Sequence, residues 1–247
     1  MIPDLYAPAA PAMPPPSQRI VVENAEALAA TAASWLARGL ASAAASLGGA
    51  SLALSGGTTP APVYRRLATL PGIPWERIEI FFGDERAVPP DHPSSNYRMA
   101  SETLLSLVPI PKEHIHRMEA EQPDLDLAAR SYEALLPPAL DLLVLGLGTD
   151  GHTASLFPHA PALAETGRRV VRVTGGEPLV QRLTVTPPVI GAAKLLLVLA
   201  AGAEKAEAVA LALEGPYNPP TVPAQLARRG TWVVDRAAAA LLTGDGT

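Results

Sequence analysis

Short apolar runs alternate with helix-like segments along most of this 247-residue chain, and this alternation restricts its fold more than any other feature. Residues 51–54, 78–82 and 142–145 have the length and apolar content of buried strands. Buried strands that alternate with helices build a mostly parallel sheet covered on both faces. We therefore predict an α/β protein with a doubly wound, Rossmann-like sheet. Further strands are predicted at residues 114–118, 170–173, 182–186, 195–199 and 232–234.

Helical spacing of apolar residues predicts a long first helix over residues 23–47, which Gly48 and Gly49 end. A second helix is predicted to begin at Pro60, with Thr59 as its N-cap. Residues 1–18 are rich in proline and alanine, so we interpret them as a weakly ordered arm before a single α/β domain over residues 19–247. Further helices are predicted at residues 95–107, 125–136 and 204–213, and in the Ala-rich C-terminal segment.

Charge and composition exclude several classes of function. Hydrophobic residues make up 48% and charged residues 17%, and the net charge of −5 leaves no clustered excess of Lys and Arg for nucleic acid or an anionic membrane. The longest apolar run, residues 195–201, is far shorter than the ~20 residues of a membrane span. With 0 cysteines the chain has no disulfide or thiolate chemistry, which fits a cytoplasmic protein. We expect a monomer or a small homo-oligomer.

The turn after the strand at residues 51–54 consists of glycines and small hydroxyl residues. Glycine lets the backbone approach a ligand closely, and free N–H groups at the following helix start favour an anion such as phosphate. An ordinary tight turn with an N-cap explains the same residues, and no Gly-Lys-Ser/Thr follows as in a Walker loop. The candidate binding residues of this turn are Ser55, Gly56, Gly57 and Thr58.

Three adjacent charged residues, Asp84, Glu85 and Arg86, directly follow the strand at residues 78–82. The guanidinium of Arg86 offers a fork of donors to a phosphate or to a developing oxyanion. The alternative is structural, because Asp84 and Glu85 could simply hold Arg86 or cap the next helix. Both interpretations place these residues at the end of a strand, where open α/β sheets bind their ligands.

The segment after the strand at residues 142–145 carries glycines at 146, 148 and 151, which formally match the dinucleotide-binding pattern G-x-G-x-x-G. A dehydrogenase is disfavoured because His152 follows the third glycine at once and Pro158 ends any helix within about two turns. No clear acidic residue ends the next strand at the usual distance of about 20 residues. We therefore interpret Gly146 and Gly148 as part of a different ligand site.

His152 is the only one of the five histidines that stands between a glycine-rich turn and a predicted helix start. A carboxylate such as Asp150 can orient an imidazole and tune it for proton transfer near neutral pH. His114 and His116 alternate on a predicted strand and could face one metal, but no third ligand lies nearby, so no metal site is expected. His92 and His159 adjoin prolines and are predicted at the surface.

Together these loops resemble the 6-phosphogluconolactonase family over about residues 21–242, most closely at 54–60, 82–86, 95–97 and 141–158. The resemblance implies a sugar-phosphate isomerase-like fold and a catalytic domain that hydrolyses 6-phospho-D-glucono-1,5-lactone to 6-phospho-D-gluconate, in the second step of the oxidative pentose phosphate pathway. It implies catalysis by His152 assisted by Asp150, with no metal and no cofactor. The residues expected to bind the phosphorylated sugar lactone are Ser55, Gly56, Gly57, Thr58, Asp84, Arg86, Gly146, Gly148 and Arg182.

Two alternatives remain beside the lactonase. The related glucosamine-6-phosphate deaminases share the Gly-Thr turn and the Asp-Gly-His segment, but they usually carry Asp-Glu-Tyr where this chain has Arg86 as the third residue. Their histidine segment continues with Asn-Glu-Pro, whose Glu assists ring opening, whereas residues 155–158 read Ser-Leu-Phe-Pro. A non-catalytic sugar-phosphate sensor predicts an attached basic, nucleic-acid-binding segment, and the first 18 residues are too short and too uncharged for one.

One residue expected from the resemblance is missing. Lactonases often carry a Lys in a Pro-Lys-Pro-Pro stretch before the strand at residues 182–186, but residues 175–181 contain no Lys. Lys112, Lys194 and Lys205 are the only lysines of the chain, and none fits that position. The phosphate-binding role is therefore expected at Arg182 or Arg172.

Overall fold

The computed structural model describes residues 18–176 and 180–243, and its centre is a six-stranded sheet in which every neighbouring pair of strands is parallel. The strand order is β1-β9-β8-β5-β2-β3, which confirms the predicted α/β architecture. The predicted arm lies outside the described residues up to position 17. Within the described residues the strands are β1 (Arg19–Val22), β2 (Ala50–Leu54), β3 (Ile78–Phe82), β4 (Asp84–Arg86), β5 (Leu142–Gly146), β6 (Val170–Gly175), β7 (Val180–Val185), β8 (Leu195–Ala200) and β9 (Thr231–Asp235).

Strand order creates a crevice between β2 and β5. The chain passes from β2 to its neighbour β3 on one side, then returns to β5 on the other side and continues outward to β8 and β9. In open α/β sheets ligands bind outside the carboxyl ends of the strands where the winding direction reverses. The turns that begin at Ser55 and Gly146 leave the sheet at this point. The topology thus places two of the three predicted ligand loops side by side.

The first helix shows how the sequence fixes the layers around the sheet. Asn24 caps α1 by accepting a hydrogen bond from the Ala27 N–H (3.0 Å), and Gly48 ends it in a left-handed conformation with φ 81°. Trp35 and Leu36 belong to its buried face, as the predicted helix over residues 23–47 requires. In the part of the chain that the structure describes, the α-helices are α1 (Ala25–Leu47), α2 (Pro60–Leu67), α3 (Asn96–Ala100), α4 (Leu125–Leu135), α5 (Pro187–Ala192) and α6 (Ala206–Leu213).

Four local predictions are wrong. Thr59 does not cap α2 with its side chain, since it already has helical backbone angles. Residues 114–118 form only an isolated parallel bridge between Ile115 and Ile80, and residues 236–241 are turns instead of a helix. No helix begins after His152, because Ala154 has a φ of 49°. The prediction over 95–107 is confirmed in extent, as α3 continues into a π-helical turn at Ser101–Leu105.

A second, three-stranded antiparallel sheet with the order β4-β7-β6 was not predicted. Gly83 joins the two sheets, because its N–H donates to the Leu54 carbonyl (2.8 Å) while its own carbonyl accepts from the Val185 N–H (2.9 Å). Strand β4 consists of Asp84 to Arg86 and was interpreted from its charges as a loop. Its pairing with β7 places Arg86 opposite Arg182.

Two buried tyrosines hold the carboxyl ends of β2 and β3. The Tyr64 hydroxyl accepts from the Ser55 N–H (2.9 Å) and donates to the Ser55 carbonyl (3.0 Å). Tyr132 makes the same pair of bonds with Phe82, at 2.7 and 3.0 Å. Burial raises the pKa of both phenols well above the usual value, so both remain neutral donors. Tyr64 therefore fixes the backbone at the start of the glycine-rich turn.

We expect Tyr64→Phe to lower the free energy of unfolding by about 2–4 kcal/mol, because it leaves two buried backbone groups of Ser55 without a partner. The measurement is urea unfolding followed by circular dichroism. Tyr217→Phe is the control, since Tyr217 is 66% exposed and its contact with Arg228 needs only the ring. Equal stability of the two variants would contradict the role given to the Tyr64 hydroxyl.

Candidate active site

A cleft with a volume of about 190 Å³ opens at the carboxyl end of the parallel sheet. His152 lines it together with the nine residues expected to bind the lactone, whereas Asp150 does not line it and is hydrogen-bonded to His152. The structure thus brings together loops that are more than 100 residues apart in sequence. The lining comprises Ser55, Gly56, Gly57, Thr58, Thr59, Pro60, Asp84, Arg86, Asn96, Gly146, Leu147, Gly148, His152, Ala154, Arg182, Leu199, Ala200 and Lys205.

His152 and Asp150 form a hydrogen-bonded pair at the edge of the cleft. Nδ1 of His152 lies 2.6 Å from Oδ1 of Asp150, which also accepts from the His152 backbone N–H at 3.1 Å. The hydrogen bond from His152 holds the pKa of the Asp150 carboxyl below its usual value, so the carboxylate is ionised. A carboxylate at Nδ1 favours the neutral tautomer with hydrogen on Nδ1. That tautomer leaves Nε2 as the atom that can accept a proton.

The glycines of the G-x-G-x-x-G match shape the turn around this pair. The Gly148 N–H donates to the His152 carbonyl (2.8 Å), and Gly151 closes the turn with a φ of 83°. A Cβ on Gly148 would overlap the His152 ring and lie 2.5 Å from Oδ1 of Asp150. Since no helix follows to support a pyrophosphate, the glycines serve the histidine turn and the dinucleotide interpretation is disfavoured.

Glycines 56 and 57 give the first loop its close approach to neighbouring groups. Gly57 has a φ of 106°, which L side chains rarely adopt, and a Cβ on Gly56 would overlap the amide of Asn96. Asn96 is itself buried and donates to the Asp84 carbonyl (2.8 Å) and to Oδ1 of Asp84 (3.1 Å). The first and second predicted loops are therefore packed directly against each other.

Glu85 has the structural role that the sequence left open. It accepts hydrogen bonds from the backbone N–H groups of Arg86, Asn96 and Tyr97, each at 2.8 Å, and from the Ser95 hydroxyl at 3.0 Å. It therefore caps the start of α3 and lies outside the cleft lining. Burial raises the pKa of the Glu85 carboxyl despite these four donors.

Asp84, in contrast, faces the cleft from a buried position. Its Oδ2 accepts from the Ser155 hydroxyl (2.6 Å) and lies 3.8 Å from Nη1 of Arg182. Arg182 also donates from Nε to the Gly175 carbonyl at 3.2 Å. Burial and the neighbouring Arg86 guanidinium lower the pKa of Arg182. Asp84 offsets this accumulation of positive charge and fixes the Arg182 side chain.

Among the residues that the structure describes, the cleft lining carries more positive than negative charge. Arg86, Arg182 and Lys205 line it there together with one carboxylate, that of Asp84. Nη1 of Arg86 donates to the Ser94 carbonyl at 2.6 Å, and its buried Nε has no partner within the described part of the chain. Three cations around one cleft suit a phosphate monoester.

Lys205 is the cleft cation that the sequence reasoning missed. Lys205 does not fit the position of the absent Lys before β7, because it follows β8 in the 3-10 helix Ala203–Lys205. Its position just beyond the carboxyl end of a predicted strand was the signal that could have identified it. Arg172, the alternative to Arg182, forms an exposed ion pair with Asp126 (3.1 Å) and does not line the cleft.

No group of three or more metal-binding side chains suitable for a metal ion occurs within residues 18–176 and 180–243. His114 and His116 both approach the carboxylate of Glu79, at 3.5 and 2.5 Å, and lie outside the cleft. Among the helices that the structure describes, none combines the length and apolar character needed to cross a bilayer.

A model of the family described as glucosamine-6-phosphate isomerases/6-phosphogluconolactonase matches residues 23–234. The chain belongs to this family. A 6-phosphogluconolactonase from Synechocystis sp. is 43% identical over 206 residues, which cover 77% of this chain and 84% of the relative. The 6-phosphogluconolactonase structure from Trypanosoma brucei matches with a TM-score of 0.82 and 29% identity, over 94% of this chain and 100% of that one.

A glucosamine-6-phosphate deaminase is also structurally similar. The structure of a monomeric deaminase matches with a TM-score of 0.81 and 25% identity, over 91% of this chain and 99% of that one. The fold therefore does not separate the two activities, and the residues of the cleft must do so.

Proposed function

We propose that this protein is a cytoplasmic 6-phosphogluconolactonase that hydrolyses 6-phospho-D-glucono-1,5-lactone to 6-phospho-D-gluconate, in a single catalytic domain over residues 19–247. One observation carries the proposal: an imidazole oriented by Asp150 faces the same cleft as Arg86 and Arg182. The first group can activate water and the other two can hold a phosphate. The 43% identity to a lactonase supports the same activity.

The proposed chemistry uses neutral His152 as a general base. Nε2 removes a proton from a water molecule as the water oxygen bonds to C1 of the lactone, and the carbonyl becomes a tetrahedral oxyanion. Backbone N–H groups of the glycine-rich turns stabilise this charge. The intermediate then collapses, the bond between C1 and the ring oxygen breaks, and the imidazolium returns its proton to that oxygen. Asp150 keeps the ring oriented and stabilises the transient positive charge.

The phosphate is assigned to the part of the cleft that β4 and β7 line. Arg86 and Arg182 are cross-strand neighbours on β4 and β7, so both guanidinium groups can bind the same phosphate. Lys205 adds a third positive charge, and Thr58 contributes a small hydroxyl from the first turn. This arrangement leaves no need for the Lys that lactonases often carry before β7.

Deamination fits the cleft less well. The deaminases use the Glu of their Asn-Glu-Pro element in ring opening, and the corresponding stretch of this chain contains Phe157 but no carboxylate. Asp84, the carboxylate that lines the cleft, accepts a hydrogen bond from the Ser155 hydroxyl and lies next to Arg182. Among the described residues of the cleft lining, therefore, no carboxylate is free to act as an acid beside His152.

The direct test generates the phosphorylated lactone in situ and follows its disappearance against spontaneous hydrolysis. We expect hydrolysis that is faster in proportion to the enzyme added, and no ammonia release from glucosamine-6-phosphate in a parallel assay. Ammonia release without lactone hydrolysis would replace the proposed function with that of a deaminase.

Arg86→Ala is expected to raise KM for the lactone about 10- to 100-fold, since a hydrogen bond to a charged group contributes about 1.5–3 kcal/mol. The fold should persist because Glu85 caps α3 through backbone donors that alanine retains. Steady-state kinetics measure the effect, with the exposed Arg65→Ala as the control for loss of a surface charge. An unchanged kcat/KM in Arg86→Ala would remove Arg86 from the binding site.

A further inference from the structure

Phe157 contacts two groups of the cleft although it does not line the cleft itself. Its ring centroid lies 4.7 Å from that of His152, with the ring planes inclined at 44°. Cζ of Arg182 lies 5.6 Å from the same ring. One apolar side chain therefore touches both the proposed base and a proposed phosphate ligand.

The structure holds this ring in place from two sides. Ser155, two residues earlier, is fully buried and bonds to Asp84 (2.6 Å) and, through its N–H, to the Thr184 hydroxyl (3.1 Å). On the other side the ring packs against Gly175, where a Cβ would overlap it. Gly175 also accepts the hydrogen bond from Nε of Arg182. The ring thus fills a space bounded by fixed backbone and by the two functional side chains.

An aromatic ring suits this position for a chemical reason. Its face attracts a guanidinium, and its edge and face pack against an imidazole. It offers no hydrogen-bonding group that would compete with Asp150 for Nδ1 of His152 or with water for Nε2. A flexible polar side chain without a ring would give the imidazole a second partner and a second orientation.

We propose that Phe157 is a positioning residue that holds the His152 imidazole and the Arg182 guanidinium in one fixed arrangement. A substrate anchored by its phosphate then presents its carbonyl to Nε2 at the correct distance. This role rests on the proposed lactonase function. Phe157 affects kcat through His152 and KM through Arg182.

The test compares Phe157→Leu, Phe157→Tyr and Gly175→Ala in the full-length protein. Phe157→Leu removes the flat ring, and we expect kcat to fall at least about 10-fold and KM to rise about 3- to 10-fold. Gly175→Ala displaces the ring without changing Phe157 and should shift both constants in the same direction. Phe157→Tyr keeps the aromatic ring, and this variant should retain most of the wild-type activity. Thermal unfolding is the control that checks whether all three variants are folded.

A double-mutant cycle with Arg182→Met separates the two routes. In that background Phe157→Leu should no longer raise KM, while its effect on kcat through His152 persists. Phe157→Leu with both constants within twofold of wild type would overturn the proposal. An equal rise of KM with and without Arg182 would overturn it as well.

Binding of inorganic phosphate gives a readout that does not need turnover. Calorimetry should show phosphate binding weakened about 3- to 10-fold by Phe157→Leu and unchanged by the exposed control Arg65→Ala. Wild-type protein that binds phosphate with this dependence on Phe157 but does not hydrolyse the lactone would refute the proposed function alone. Phosphate binding that ignores Phe157 would refute the positioning role.

Discussion

His152→Gln is expected to lower kcat for the lactone about 10²–10⁴-fold, the usual contribution of a general acid–base group. Glutamine keeps a polar side chain of similar reach but cannot take up and return a proton. The backbone N–H of residue 152 can still donate to Asp150, and Gly148 can still donate to the carbonyl, so the turn should stay folded. The measurement is steady-state hydrolysis corrected for the spontaneous reaction.

His159→Asn is the matched control for His152→Gln. His159 is exposed and has a φ of 61°, a conformation that asparagine tolerates, and it lies outside the cleft. The control should keep wild-type kcat and KM, and both variants should unfold at the wild-type temperature within a few degrees. A His152→Gln protein with near-wild-type turnover would end the proposed mechanism.

The parts of the site that follow the parallel strands could be predicted from sequence because of a simple geometric rule. The carboxyl ends of β2, β3 and β5 meet at one edge of the sheet, so the residues directly after each strand become neighbours. Ser55, Asp84 and Gly146 were found in this way. The apolar runs that mark those strands were clear because the strands are buried.

The second sheet escaped prediction although two of its strands, β6 and β7, were predicted at residues 170–173 and 182–186, because no local pattern shows which strands pair. Strand β4 is three charged residues long, and its pairing with β7 depends on contacts nearly 100 residues away in sequence. The pairing of Arg86 with Arg182 was therefore invisible to a local pattern. The prediction of a helix over the Ala-rich residues 236–241 failed for the opposite reason. These residues have a high helix propensity, but tertiary contacts outweigh it. There the Asp235 carboxylate accepts from the N–H groups of Ala238 and of Gly202, and so ties the start of this segment to the residues after β8.

The segment after His152 shows how a buried polar contact overrides a helix pattern. Ser155 is fully buried, and the observed turn gives its hydroxyl to Asp84 and its N–H to the Thr184 hydroxyl. Ala154, directly before Ser155, has a φ of 49° and departs from helical geometry within this turn. This arrangement also carries Phe157 to His152, so the departure from helix builds the site.

Gly148→Ala is expected to lower kcat about 10²-fold or more, although it removes no functional group. The added Cβ would overlap the His152 ring and lie 2.5 Å from Oδ1 of Asp150, so the pair must move apart or turn. A displacement of about 1 Å in a catalytic group costs about 10²-fold in rate. Phosphate affinity should change little because Arg86 and Arg182 are carried by the second sheet. Calorimetry with inorganic phosphate and lactone kinetics measure the two effects separately.

Gly191→Ala is the control for this substitution. Gly191 lies in α5, where a Cβ would meet no atom within 4 Å, so alanine should leave kcat unchanged and stabilise the helix slightly. Loss of both phosphate binding and cooperative unfolding in Gly148→Ala would indicate a folding defect instead of a displaced pair. A Gly148→Ala protein with wild-type kcat would show that the observed position of the His152–Asp150 pair is dispensable, because the added methyl group overlaps both side chains where they now lie.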